Sequence, residues 1–148
     1  MLMTATISLS DAKIIAAAAA AKAAEHAWPV LIAVLDQGGH LLYLERADGV
    51  QLGSIVVAQE KARTALMFRR PTKALQDRVN DGRINMLTLP GATPIEGGLP
   101  LVKDGRIVGS IGVSGVQSHE DAEVAAAGVA AAEALEWPNS PASGRSAP

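Results

Sequence analysis

Two pairs of short apolar runs, each pair meeting at a glycine-bearing turn, constrain this 148-residue chain more than anything else in it. Val30 to Leu35 is apolar and β-branched, Asp36-Gln37-Gly38-Gly39 follows, and His40 to Arg46 returns. Leu99 to Lys103 and Arg106 to Ser114 flank Asp104-Gly105 in the same way. Glycine reaches the positive φ that tight turns demand, so each pair predicts an antiparallel hairpin. Hairpins need no crossover helix, and the chain therefore belongs to the α+β class with a mainly antiparallel sheet.

The remaining segments read as helices with polar or proline boundaries. Ser8-Leu9-Ser10-Asp11 supplies capping residues for a helix over Ser10 to His26, which Trp28-Pro29 stops. Leu52 to Phe68 has helical spacing, with Ile55, Val56, Ala62, Ala65 and Leu66 on or near one face. Pro71-Thr72 opens a shorter helix to Val79, and Asn80-Asp81-Gly82 breaks it. Ile84 to Thr93 is an apolar loop of mixed signals, and Pro94 to Gly98 reads as a further short strand. Ser118 to Asp121 caps a last helix over His119 to Glu136. The predicted order is α-β-β-α-α-β-β-β-α in one domain over residues 1–137, with a flexible tail over 138–148.

Composition excludes several functions. Cysteine is absent, so disulfides, iron–sulfur clusters, thiolate zinc sites and cysteine nucleophiles are ruled out. The net charge of −2 lacks the basic surplus that phosphate binding needs, which argues against nucleic acid or an anionic membrane as partner. The alanine-rich stretch Ile14 to Ala24 is too short to span a bilayer and carries Lys22, and no basic region precedes it; a cytoplasmic location is expected. Apolar residues make up 49% of the chain but aromatics only 3%, and roughly a fifth is alanine. Alanine buries little area, so burial gained in a homo-oligomer is expected.

Several residues carry candidate chemistry. Glu96-Gly97-Gly98 places a carboxylate beside backbone N–H groups that no side chain shields, a corner suited to a general base or a ligand contact. Arg46, Lys61 and Arg83 are candidate cations for a ligand carboxylate; ion pairs with Asp48, Glu60 or Asp81 are their plainer reading. Gly109, Gly112 and Gly115 read as close packing of a helix on the sheet, because no βαβ unit accompanies them. His26, His40 and His119 lack metal-ligand spacing, so no metal site is expected. His26 and Arg69-Arg70 suit helix C-termini, and His119 suits a helix start. Ser114 sits outside any nucleophile-elbow pattern.

Six motifs in order support a resemblance. They are Val34-Leu35-Asp36-Gln37-Gly38-Gly39-His40 with Glu45-Arg46-Ala47-Asp48-Gly49; Gln59-Glu60-Lys61-Ala62-Arg63-Thr64-Ala65; Asn80-Asp81-Gly82-Arg83; Ile95-Glu96-Gly97-Gly98-Leu99-Pro100; Val102 to Gly109; and Ile111-Gly112-Val113-Ser114-Gly115 with Glu120-Asp121-Ala122-Glu123. From Leu9 to Leu135 the chain resembles the GlcG/HbpS-like family, the haem-binding domain found also as the C-terminal part of PduO-type proteins, and its GlcG branch in particular. The resemblance implies a profilin-like or PAS-like five-stranded antiparallel sheet with helices on both faces. It also implies dimers that assemble further, into octamers, and haem binding for some members. Under it, His40 is the best-placed axial haem ligand, and without a CxxCH motif the haem would be noncovalent.

Three functions are carried forward. The first is a binder of a small anionic ligand or haem, with its pocket at Glu96, Gly97 and Gly98 and with Arg46, Lys61 and Arg83 around it. The alternative is a cofactor-independent enzyme of proton-transfer, isomerase or lyase type, in which Glu96 is the acid or base toward a small organic acid. The third is a purely structural role.

Overall fold

The computed structural model describes residues 1–136. The elements are helix α1 (Leu9–Glu25), strands β1 (Leu31–Asp36) and β2 (Leu41–Arg46), helices α2 (Ser54–Phe68) and α3 (Thr72–Asn80), a 3-10 turn (Ile84–Thr88), strands β3 (Gly98–Lys103) and β4 (Arg106–Ser114), and helix α4 (Ser118–Ala134). The strands form one antiparallel sheet in the order β2-β1-β4-β3. Both predicted hairpins are present, and the α+β class holds. The predicted tail lies outside the described residues.

The expected fifth strand is corrected: among the described residues the sheet has four. Residues Pro94 to Gly97 are irregular backbone. Pro94 has no N–H to give a ladder. The Ile95 N–H turns back to the Thr93 carbonyl, and the Glu96 N–H goes to the Gln76 side chain. The segment thus spends its donors locally and on α3, and pairing begins only at Gly98.

Helix α1 starts on a capping box in which the Ser8 hydroxyl accepts the Asp11 N–H and the Asp11 carboxylate accepts the Ser8 N–H. Its buried residues Ala12, Ile15, Ala16, Ala19 and Ala23 recur at helical spacing and form one face. That face packs with α4 on one side of the sheet, against Ile32, Val34, Ile111 and Val113. Alanine and glycine set the approach there: a Cβ on Gly128 of α4 would lie 2.6 Å from Ile111 and 3.2 Å from Ile15.

Helix α2 covers the opposite side, over Leu31 and Ala33. Side chains alternate across a strand, so Ile111 and Val113 face the main core while Gly112 and Ser114 face α2. A Cβ on Gly112 would come within 2.0 Å of the Ala58 carbonyl oxygen, so the close-packing reading of this glycine is correct. The Ser114 hydroxyl donates to the Ser54 hydroxyl of α2 at 3.1 Å. Among the described residues no helix is long and apolar enough to cross a membrane.

Candidate functional site

The antiparallel register puts both hairpin turns at one end of the sheet. Asp36 pairs with Gly109 and Lys103 with Arg106, so the 37–40 turn and the 104–105 turn are neighbours. The C-terminal end of α2 arrives at the same place, with Leu66 lying 3.6 Å from where a Cβ on Gly39 would be. Together with residues 3–5 these segments line an open cavity of about 990 Å³. Its wall holds His40, Arg63, Arg69 and Arg106, and Leu66 and Met67 give it an apolar side.

Local chemistry explains each placement. The Asp36 carboxylate accepts the His40 N–H at 2.9 Å, and the Asp36 N–H goes to the His40 carbonyl, which closes the turn. Gly39 in this turn has φ 86. The imidazole leans over Gly38, where a Cβ would stand 3.2 Å from it. Neither ring nitrogen has a hydrogen-bond partner among the described residues. Arg69 ends α2 at φ 54, ψ 41, a left-handed cap usually given to glycine. A side chain there costs about 1–2 kcal/mol. Its N–H goes to the Leu66 carbonyl and that of Arg70 to Ala65.

The second polar centre is internal. The Lys61 ammonium donates to the Asp121 carboxylate at 2.9 Å and to the Val113 carbonyl at 3.0 Å. Asp121 takes the Val116 N–H on its other oxygen, and both side chains are only 2% exposed. Burial pushes the Asp121 carboxyl above its ordinary value, against the lowering pull of Lys61. The lysine passes Gly97 (φ 131), where a Cβ would sit 2.7 Å from its nitrogen. At Gly98 a Cβ would come within 2.2 Å of the Lys61 carbonyl oxygen. Gly97 thus makes room for the lysine that ties α2 to α4, and Gly98 for the close approach of the α2 backbone to β3. The pairing of Lys61 with Glu60 is replaced by this one.

The Glu96 loop is held from beneath. Thr72 accepts the Gly98 N–H, Thr64 accepts the Thr93 N–H, and Gln76 accepts the Glu96 N–H. Glu96 is half-buried, and its charge reaches Lys73, which pairs with Asp77 at 2.9 Å. Arg46 ends β2, at the edge of the sheet opposite β3, and is exposed. Arg83 is exposed at the head of the 3-10 turn, with its N–H on the Arg78 carbonyl. None of Arg46, Lys61, Arg83, Glu96, Gly97 or Gly98 lines the cavity; His40 does.

The other histidines lie outside the cavity. His26 caps α1 at its C-terminal end, stacks on Trp28 with ring centroids 4.1 Å apart, and stands 3.9 Å from Glu123. His119 is not the cap of α4, which is Gln117 boxed with Glu120. Sequence reasoning missed Arg63, Arg69 and Arg106 as cavity residues, reading Arg69 only as a helix-end cation, and missed Asp121 as the partner of Lys61. Adjacency of the two hairpin turns would have pointed to Arg106, but it depends on the strand order. No local signal marks Asp121.

A family model described as haem degrading protein HbpS-like matches residues 7–130. Protein GlcG of Escherichia coli strain K12 is 46% identical over 108 residues, covering 73% of this chain and 81% of that protein. Among solved structures, a double mutant of Streptomyces reticuli HbpS superposes with a TM-score of 0.81 at 31% identity, over 88% of this chain and 89% of that one. A PduOC–haem complex superposes with a TM-score of 0.77 at 27% identity, over 85% and 94%.

Proposed function

We propose, from the premise that this chain belongs to the family of haem degrading HbpS-like proteins, that it binds haem noncovalently in the cavity at the hairpin end of its sheet. The single observation that carries this reading is His40: an imidazole with no hydrogen-bond partner among the described residues, on the wall of a cavity of about 990 Å³. That volume is at the upper end of ordinary ligand sites. A neutral imidazole nitrogen is a common iron ligand. The residues fit the group: His40 would hold the iron, Leu66 and Met67 would cover part of a flat apolar face, and arginines stand ready for its acid groups. Bound haem would supply redox or ligand-binding chemistry at its iron. The PduOC–haem complex, with the same fold, supports the choice of ligand.

This reading moves the ligand away from the Glu96 loop, where the bonds to Thr64, Thr72 and Gln76 give the backbone a packing role. Assembly with further copies of the chain belongs to the same proposal. It is supported by exposed apolar side chains such as Leu52, Val56, Ile84 and Leu87, and light scattering of the purified protein measures it.

Haem titration followed by absorbance tests the reading. Wild-type protein is expected to give a saturable Soret shift at micromolar haem, and His40→Ala to lose the axial-ligand signature while keeping its thermal stability. A spectrum unchanged by the protein, or an identical one from His40→Ala, overturns it.

A further inference from the structure

The same cavity carries three arginines and no acidic residue, one cation more than the two acid groups of a haem would take. Arg63 comes from the body of α2, Arg69 from its left-handed cap, and Arg106 from the first residue of β4. Three arginines from separate positions thus line one cavity, and no aspartate or glutamate lines it. The asymmetry stands out in a chain whose acids outnumber its bases by 15 to 13. None of the three is in an ion pair among the described residues; Arg63 reaches only the Met67 sulfur, at 3.4 Å.

The helix dipole accounts for part of this. A cation at the end of α2 offsets its negative pole, and Arg70 does so without lining the cavity, its Nε held by the Phe68 carbonyl. Arg106 is not on that helix, and it arrives through the Asp104-Gly105 turn. Arg69 occupies a backbone conformation that glycine would adopt freely, at φ 54. A strained non-glycine position beside a cavity is where function commonly offsets stability. The arginine fork pairs two of its N–H groups with one carboxylate.

We infer that this cavity is an anion-binding site in its own right, taking a small organic anion with two or more carboxylates through Arg63, Arg69 and Arg106. The inference shares the cavity of the haem reading but not its iron. An apolar side formed by Leu66 and Met67 suits a carbon backbone between the acid groups. A lone inorganic anion would leave most of about 990 Å³ to water.

Calorimetric titration with citrate at low ionic strength tests it. Wild-type protein is expected to bind citrate, and to bind it more weakly as salt is added. Arg63→Gln, Arg69→Gln and Arg106→Gln should each weaken binding by about tenfold, the worth of one charged hydrogen-bonding partner. Arg78→Gln, which removes the same charge from α3, should leave it unchanged. Inorganic phosphate should bind at least tenfold more weakly than citrate. Absence of citrate binding, a loss as large in Arg78→Gln as in the other variants, or phosphate binding as tight as citrate overturns the inference. Citrate binding without haem binding leaves it standing and removes the haem reading; haem binding without citrate binding does the reverse.

Discussion

The Lys61 ammonium and the Asp121 carboxylate, sixty positions apart in sequence, meet at 2.9 Å with both side chains closed off from solvent. Their bond joins the helix on one face of the sheet to the first turn of the helix on the other. Removing one partner of such a pair leaves a buried charge uncompensated. Lys61→Met or Asp121→Leu alone should therefore cost about 3–5 kcal/mol, whereas the double variant should recover much of the loss. Urea unfolding of the three variants and their coupling energy check this. Additive losses would contradict it.

The same carboxylate gives a pH dependence of definite sign. Burial raises the Asp121 carboxyl above 3.8, more than Lys61 and the Val116 N–H lower it. The folded chain then holds this proton more tightly than the unfolded chain, and stability falls with rising pH wherever that is so. The contribution is fully present below 3.8 and is lost as pH rises through the folded value. Carboxyl carbon shifts followed by NMR should show Asp121 titrating above 3.8. Titration below it would reverse the sign.

At Gly112 the expectation is steric. Alanine would drive a methyl group to 2.0 Å from the Ala58 carbonyl oxygen, which is backbone and cannot rotate away. Helix α2 would have to lift from the sheet, at a cost of about 3 kcal/mol or more. Gly49→Ala meets nothing within 4 Å and suffers only its positive φ of 82, a cost of about 1 kcal/mol. Thermal denaturation of the two variants separates the effects.

Replacing Arg69 by glycine should stabilise the fold by about 1 kcal/mol, because glycine adopts the left-handed cap without strain. The same change should weaken citrate binding. Opposite movements of melting temperature and affinity in one variant would show strain retained for a ligand; parallel losses would show a packing role instead.

Ser110 is fully buried on β4, and its hydroxyl has no hydrogen-bond partner among the described residues. An unsatisfied buried hydroxyl carries a desolvation penalty with no return. Ser110→Ala should be neutral or stabilising, by up to about 1 kcal/mol. A loss comparable to that of Gly112→Ala would mean that the hydroxyl has a partner.

Features that depend on residues close in sequence could be read from the chain alone. Asp104-Gly105 fixed its hairpin, and the strand over Arg106 to Ser114 begins and ends where the pattern predicts. Ser8 and Asp11 announced the start of α1, and its alanine face follows the helical repeat. His40 was placed just after a turn by its glycines, and there it stands. Each of these is local: turn geometry, capping and periodicity act over a few residues.

Features set by the meeting of distant segments needed the tertiary structure. Pro94 to Gly98 read as a short strand, yet the backbone donors of Ile95 and Glu96 found Thr93 and Gln76 and the sheet stayed at four strands among the described residues. Lys61 read as a cation for a ligand carboxylate or for a neighbouring acid, but Gly97 opened a path for it to Asp121. Arg63 and Arg106 carried no shared signal until the order β2-β1-β4-β3 brought two turns and one helix end together. Periodicity says which face of an element is apolar; only the packed sheet decides which other face it meets, and so which charges end up together.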